Sequence, residues 1–236
     1  MVYKWHIVKI KRTPDYQIMF EKKEVISDKL FRELKEMIIT NILKQGAPLS
    51  ERKLCVLLNA SRTPIREALR KLYNDHFVEL KPDYGAFVSI VTFEQVSQIY
   101  DIREMLEALA VRSFTQSIND QQIETIKEIH RNLITAINKK QYEEALNIDL
   151  VFHKFIIEES KNELLQSILI SIFDHIRRII NLTNYTDDWA HESLEQHNLI
   201  FECILKKDIS GAEKSMRKHS RTSKKHQLEQ WKKVKQ

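Results

Sequence analysis

Residues 49–88 read LSERKLCVLLNASRTPIREALRKLYNDHFVELKPDYGAFV, and this stretch decides the fold of the N-terminal part of the chain. Ser50 stands before a short amphipathic run as a helix N-cap, and Asn59 follows the run as a residue that tolerates the left-handed conformation. A tight turn leads into a second amphipathic segment, in which Pro64 falls in the first helical turn, where its missing N–H costs nothing. The stretch therefore predicts two helices joined by a tight turn.

The flanks of this stretch complete a small domain. Upstream, Ile26, Leu30, Leu34 and Ile38 recur every four residues, which predicts a helix that ends before Gly46 and Pro48. Downstream, FVEL (77–80) and AFVSIV (86–91) are β-rich runs joined by KPDYG (81–85), which indicates a hairpin. Three helices followed by a two-stranded wing form a winged helix-turn-helix, predicted over residues 25–91. Residues 1–24 are interpreted as an N-terminal extension without an assigned role.

The rest of the chain is predicted to be an all-α bundle over residues 92–236. The protein has only 3 Gly and 4 Pro, and residues 86–210 contain neither, which disfavours Rossmann-like and all-β folds. Short loops between the helical segments predict antiparallel neighbours. The segments lie at about 93–115, 119–138, 141–159, 161–183, 188–206 and 208–231. The expected fold class is mainly α, a winged helix-turn-helix followed by an antiparallel helical bundle.

Charge is distributed unevenly along the chain. The formal net charge is +6 over residues 1–90, −8 over residues 91–212 and +7 over residues 213–236. A basic module joined to an acidic helical module suggests that the first module contacts a polyanion. The sequence contains no run of about 20 apolar residues, the length needed to span a bilayer, and its N-terminus does not resemble a signal peptide. The 2 Cys are far apart in the sequence, as in a reduced protein. We therefore expect a cytoplasmic protein without membrane contact.

The second helix of the helix-turn-helix carries the residues that could read DNA. Such a helix places its N-terminal side chains against base edges in the major groove, and arginine bound to guanine is the commonest specific contact. Arg62 or Arg66 is the candidate base reader, whereas Arg52, Tyr84 and Gly85 are expected near the backbone or the minor groove. The alternative is a surface helix with solvated arginines. The predicted DNA-binding residues are Arg52, Ser61, Arg62, Thr63, Arg66, Arg70, Tyr84 and Gly85.

The helical module contains four residues with metal-ligand chemistry. Asp149 and His153 are four residues apart on one helical face, and His197 and His219 lie on two later helices. Three imidazoles and a carboxylate suit a divalent transition ion, zinc or nickel above all, with open positions for water or an anion. By spacing alone, each histidine is more often a surface or core residue than a ligand.

The quoted stretch resembles the DNA-binding domain of GntR-type bacterial repressors, with SRTPIREAL (61–69) as its most recognisable block. Two residues depart from the pattern: Asn59 stands where glycine is frequent in the turn, and His76 where glycine usually precedes the wing. The bundle, which opens with YDIREMLEALA (100–110), resembles the FCD effector domain of the FadR subgroup.

The resemblance implies a regulator rather than an enzyme. It implies a metal at Asp149, His153, His197 and His219, and it matches Arg103 and Glu107 to an Arg-x-x-x-Glu element in which Arg103 would clamp a ligand carboxylate. A helix-surface ion pair is the alternative for Arg103 and Glu107. The expected protein is a homodimeric repressor that binds palindromic double-stranded operator DNA and responds to a small organic acid.

Two other functions stay open from the residues alone. A constitutive DNA-binding protein with a purely structural bundle would need neither metal nor effector. A metal-dependent hydrolase could use the same four ligands, but the sequence offers no separate general base at a fixed spacing from a ligand, as H-E-x-x-H does.

Overall fold

The computed structural model describes residues 25–183 and 186–234. The predicted extension, residues 1–24, lies outside the described residues. The chain divides into two compact units between Ile90 and Val91. In the described part of the first unit the elements are α1 (Ile26–Ile39), β1 (Pro48–Leu49), α2 (Glu51–Leu57), α3 (Arg62–Asn74), β2 (Val78–Lys81) and β3 (Gly85–Val88).

The two helices of the helix-turn-helix end in the same way. Asn59 follows α2 with φ 47°, and His76 follows α3 with φ 61°, both in the left-handed region. The next residues close the motif, because Ala60 N–H donates to the Cys55 carbonyl (3.1 Å) and Phe77 N–H to the Leu72 carbonyl (2.9 Å). The two departures from the GntR pattern therefore keep the backbone conformation for which glycine is usually chosen. At the other end of α2, the Ser50 side chain accepts from Lys53 N–H, so the predicted N-cap is confirmed.

The wing contains a third strand that the sequence did not predict. The strands lie in the order β1-β3-β2, with both neighbouring pairs antiparallel. Pro48, expected only to end the first helical segment, pairs with Phe87 in β1. Proline lacks a backbone donor and is tolerated there because β1 is an edge strand.

The core of the first unit lies between the three helices and the sheet. Leu34 of α1, Ile65 and Leu72 of α3, and Phe77 before β2 are fully buried. Because α3 directs its apolar side chains into this core, its opposite side is left for solvent or a partner.

The second unit is all-helical over its described residues. Its helices are α4 (Phe93–Ser117), α5 (Asp120–Asn138), α6 (Tyr142–Glu158), α7 (Glu163–Asn181), α8 (Asp187–Leu205) and α9 (Ile209–Val234). These bounds agree with the predicted segments to within a few residues, and the predicted fold class is confirmed. None of the helices among the described residues combines the length and the apolar character that a bilayer span requires.

Residues other than glycine cap the beginnings and ends of these helices. Asn119 and Gln122 form a reciprocal capping box at the start of α5, and Thr92 forms one with Gln95 at the start of α4. Lys140 (φ 57°) and Lys207 (φ 54°) take the left-handed position after α5 and α8. A chain without glycine over residues 86–210 can therefore still make tight turns between helices.

The long helix α4 packs along α9, with α6, α7 and α8 around the same core. Tyr100, Phe114, Phe152, Ile200 and Met216 are among the buried residues there. Polar residues are buried in the same region, and these define the second candidate site.

Candidate functional site

The exposed face of α3 carries three arginines at four-residue spacing. Arg62, Arg66 and Arg70 are all exposed, so one helical face presents three guanidinium groups to solvent. Ser61 and Thr63, at the start of the same helix, are also exposed, and the Ser61 side chain makes no cap hydrogen bond. The predicted α3 residues thus lie on the accessible side of the helix.

Arg66 is held by a residue of the preceding helix. Its Nε lies 2.8 Å from Oε1 and 2.9 Å from Oε2 of Glu51, in the first turn of α2. The hydrogen bond and the charge of Glu51 raise the pKa of Arg66. Glu51 was absent from the predicted site, because a pair that is 15 residues apart depends on the crossing of α2 and α3.

The wing brings further polar and aromatic groups beside α3. Tyr84 is 79% exposed at the tip of the hairpin, and Gly85 begins β3 with φ 90°, a conformation that favours glycine. A groove of about 750 Å³ runs between α3 and the wing, lined among others by Arg66, Arg70, Lys81 and Tyr84. Arg52 is exposed on α2 and does not line this groove.

Three histidines converge inside the helical unit. His153 of α6, His197 of α8 and His219 of α9 each offer a ligand atom within 4.8 Å of those of the other two, and all three are buried. The Nε2 atoms of His153 and His197 are 3.1 Å apart. Asp149, one turn before His153, is partly buried, and its Oδ1 lies 3.1 Å from His197 Nε2. The three histidines chosen from the sequence therefore meet at one place, and Asp149 contacts one of them, His197.

The second nitrogen of each imidazole faces an oxygen. His197 Nδ1 donates to the Ser193 carbonyl (2.8 Å) and His219 Nδ1 to Gln196 Oε1 (3.1 Å), whereas His153 Nδ1 lies 3.4 Å from Glu107 Oε2. Because the Ser193 carbonyl and the Gln196 amide oxygen can only accept hydrogen bonds, the Nδ1 atoms of His197 and His219 carry the hydrogen and their Nε2 atoms carry a lone pair. Such outer contacts are the ones that orient metal-binding histidines.

The protonation of two of these histidines also suits a metal. Burial lowers the pKa of His197 to about 4, against the opposing effect of Asp149. Burial, assisted by the neighbouring histidines and Arg103, lowers the pKa of His219 well below its ordinary value. Both imidazoles are neutral at pH 7, as metal binding requires.

The distances agree with a shared cation. Metal bonds of about 2.0–2.2 Å place the donors on one ion roughly 3.0–3.4 Å apart. The 3.1 Å separations of His197 Nε2 from His153 Nε2 and from Asp149 Oδ1 fall in this range. Lone pairs that face each other at this distance repel unless a cation or a proton lies between them. The residues therefore fit a divalent transition ion.

Arg103 and Glu107 of α4 are buried beside the histidines. Arg103 Nε lies 3.0 Å from Glu107 Oε1, with side chains that are 4% and 1% exposed, so the interpretation as a helix-surface pair is wrong. Arg103 Nη2 also lies 3.3 Å from His153 Nε2, and Ser220 Oγ donates to Glu107 Oε2. Burial disfavours the charge on Glu107, but Arg103 and His153 outweigh it and lower the pKa of Glu107 to about 2.

Several members of this centre were not found from the sequence. Ser193 and Gln196 accept hydrogen bonds from the candidate ligands His197 and His219, and Ser220 donates to Glu107. Tyr100 is buried beside Arg103, with a pKa that burial raises to about 12. Gln196 and Ser220 are each adjacent in the sequence to a candidate histidine, and this adjacency could have identified them as members of the site.

The two domains together define a class of protein, a transcriptional regulator with a winged helix-turn-helix followed by a helical FCD domain. Residues 26–88 match the bacterial regulatory proteins of the gntR family, and residues 98–222 match the FCD domain. The chain belongs to the GntR family of regulators with an FCD domain. FCD domains bind effectors at sites associated with metals, and members of this family are regulators rather than enzymes, so the hydrolase alternative is dropped.

Known proteins similar to the chain agree with this assignment. The HTH-type transcriptional regulator YdhC of Bacillus subtilis is 30% identical over 80% of this chain and 85% of its own length. The HTH-type transcriptional repressor RspR of Escherichia coli K12 is 26% identical over 82% of this chain and 85% of its own length. The solved structure of E. coli McbR/YncC superposes with a TM-score of 0.75 at 22% identity, covering 89% of this chain and all of that one, which supports the fold.

Proposed function

We propose that this protein is a repressor that binds a palindromic operator as a homodimer and changes its DNA affinity when a small organic acid binds at a metal centre in the helical domain. The observation that carries the proposal is the convergence of three buried imidazoles, each with an oxygen at its Nδ1, in a chain with an arginine-rich recognition helix. The similarity to RspR, which is named a repressor, supports the direction of control. Operator binding places the protein in the cytoplasm.

DNA recognition is assigned to α3 and the wing. Arg62 and Arg66 read base edges in the major groove, and Ser61, Thr63 and Arg70 contact the phosphates beside them. Arg52, Tyr84 and Gly85 contact the backbone or the minor groove. The exposure of the side chains of this set supports the assignment.

Asp149, His153, His197 and His219 hold the metal, with zinc or nickel as the best match to three imidazoles and a carboxylate. When bound, the ion supplies a Lewis-acid anchor for a carboxylate oxygen. Arg103, which lies 3.3 Å from His153 Nε2, can offer its guanidinium to the same anion. Glu107 orients both Arg103 and His153, so it belongs to the site without contacting the effector.

The metal assignment is tested by elemental analysis of protein purified without added metal or chelator. The wild type should carry close to one transition ion per chain, and the double variant His153→Ala/His197→Ala should carry none. His191→Ala is the matched control, because His191 is 55% exposed on α8 away from the cluster and should keep the ion. Absence of metal from the wild type after dialysis against zinc and nickel would refute the assignment.

The regulatory assignment is tested by a gel shift. The probe is a duplex that the wild type selects from a random library, with a panel of mono-, di- and tricarboxylates added in turn. At least one carboxylate should change the operator affinity of the wild type but not that of the double histidine variant. If a carboxylate binds the helical domain and none changes DNA affinity, the regulatory assignment is refuted. If no carboxylate binds and the protein holds no metal, it is instead the constitutive DNA-binding protein considered above.

The dimer is assigned to the helical domain. Ile102 and Leu109 are 44% and 41% exposed, two turns apart on one face of α4, and provide an apolar surface for a second copy. Leu109→Asp should convert the dimer to a monomer in light scattering and weaken operator binding. A dimer that survives this substitution would place the interface elsewhere.

A further inference from the structure

The ion pair between Glu51 and Arg66 ties the first turn of α2 to the DNA-reading face of α3. Both oxygens of Glu51 lie within 2.9 Å of Arg66 Nε, although the Arg66 side chain is 66% exposed. An exposed arginine that keeps one nitrogen on a carboxylate has fewer rotamers open to it than its solvated neighbours.

The engaged nitrogen determines which donors remain. A guanidinium has five N–H donors, and the single hydrogen on Nε is directed at Glu51. Guanine presents O6 and N7, which accept two parallel donors in the major groove. With Nε occupied, Arg66 can meet these two acceptors only through its terminal Nη1 and Nη2 atoms, in the end-on orientation.

The charge of Glu51 acts in the same direction. Glu51 is an acidic group on a surface that must approach a polyanion, among Arg52, Lys53 and the arginines of α3. It offsets the charge of Arg66, so Arg66 gains less from a phosphate than Arg62 or Arg70 does. A paired Arg66 is therefore better suited to a base edge than to the backbone.

We propose that Glu51 is a positioning residue that fixes Arg66 for end-on recognition of one guanine and withholds it from the phosphates. The inference rests on the proposed DNA-binding function of α3. Glu51 then sets specificity without touching DNA: its removal strengthens binding to arbitrary sequence and weakens discrimination.

The test compares Glu51→Ala, Glu51→Gln and Arg66→Ala with the wild type. The control is Glu33→Gln, which removes an exposed carboxylate of similar accessibility from α1, where it pairs with Lys29. The probes are a duplex that the wild type selects from a random library, a scrambled duplex of the same composition, and selected duplexes with single guanines replaced by 7-deazaguanine, which lacks the N7 acceptor. Dissociation constants are measured at several salt concentrations.

Glu51→Ala should bind the scrambled duplex about 2- to 5-fold more tightly, because a negative charge is gone and Arg66 becomes free for phosphates. In Glu51→Ala, the ratio of the affinity for the selected duplex to the affinity for the scrambled duplex should decrease by about 5- to 100-fold, which is the usual contribution of one bidentate base contact. One 7-deazaguanine should weaken the wild type and have no effect on Arg66→Ala or Glu51→Ala. Glu51→Gln, whose amide oxygen still accepts from Nε, should recover most of the discrimination, and Glu33→Gln should match the wild type.

Removing Glu51 also removes a charge near the N-cap of α2, and thermal unfolding of each variant measures the effect of that loss on stability. A merely structural role of Glu51 would lower the affinities for the selected and the scrambled duplex together. The inference is overturned if Glu51→Ala keeps the wild-type ratio and the wild-type response to 7-deazaguanine. It is also overturned if Arg66→Ala responds to every 7-deazaguanine as the wild type does. If the wild type selects no duplex at all, the proposed function itself fails, and there is no base for Arg66 to read.

Discussion

Replacing Glu107 by Gln removes the carboxylate that faces both Arg103 and His153 in the core of the helical domain. Arg103 is 3% exposed, so the variant leaves a buried guanidinium without its counter-charge. Breaking a buried ion pair by removing one partner costs about 3–5 kcal/mol. We expect the free energy of unfolding of the helical domain to fall by that amount.

The pH dependence of stability gives an independent check on the same group. Although burial opposes its charge, Glu107 has a pKa lowered from its usual 4.5 to about 2 by Arg103 and His153, so the folded state keeps it ionised where the unfolded state takes up a proton. Its contribution is fully present above pH 4.5 and is lost as the pH falls toward 2. The linked free energy is about 3 kcal/mol, and Glu107→Gln should lack this part of the acid sensitivity.

The assay is urea unfolding between pH 2.5 and 7 in chelator, followed by tryptophan fluorescence in a Trp5→Phe background. The remaining tryptophans, Trp189 and Trp231, are buried in the helical unit and report on it. Glu158→Gln is the matched control, because Glu158 forms an exposed pair with Lys154 and should change stability by less than about 1 kcal/mol. In the double variant Arg103→Met/Glu107→Gln the loss should be smaller than the sum of the single losses. Equal stability and an equal acid profile of Glu107→Gln and the wild type would refute the reasoning.

Two further predictions concern local structure. His76→Gly should stabilise the winged helix by up to about 1 kcal/mol, because His76 holds a φ of 61° that glycine adopts without steric cost; chemical unfolding measures it, and a loss of stability would contradict it. Asn119→Ala should destabilise the helical domain by about 1 kcal/mol, since the Asn119 side chain accepts from Gln122 N–H at the start of α5. Thermal melts measure this loss. Asn119→Asp keeps an acceptor at the N-cap and should retain most of the wild-type stability, so equal losses in both variants would count against the cap.

Much of the chain follows local rules that are written in the sequence. The apolar spacing of Leu30, Leu34 and Ile38 predicts α1, and Ser50 and Pro64 mark the beginnings of α2 and α3, because helix periodicity and capping involve residues within a few positions of one another. Asn59 and His76 also act locally, through the backbone of the preceding turn. The third strand was missed because the two residues of β1 form a strand only by pairing with β3, which lies almost 40 residues later in the chain.

For the candidate metal ligands, the sequence gives the residue types and their spacing, and the tertiary structure gives their distances from one another. The sequence offered all four as residues with metal-ligand chemistry, but spacing placed only Asp149 and His153 on one helical face, and the resemblance to the FCD domain was needed to join His197 and His219 to them in one metal site. That the three histidines meet and that Asp149 lies 3.1 Å from His197 depends on how α6, α8 and α9 pack. The oxygens at each Nδ1, from Glu107, Ser193 and Gln196, depend on the same packing.

The sequence by itself determined that this chain is a winged helix-turn-helix followed by a helical bundle, because period, capping and motif are short-range properties, and it supplied the candidate site residues. Only the tertiary structure decided the surroundings of each charge. An arginine and a glutamate four residues apart look the same on a helix whether they face water or the core, and α6 and α9 bury Arg103 and Glu107. In the same way, the crossing of α2 and α3 brings Glu51 to Arg66, since contacts between elements are set by packing and not by spacing along the chain.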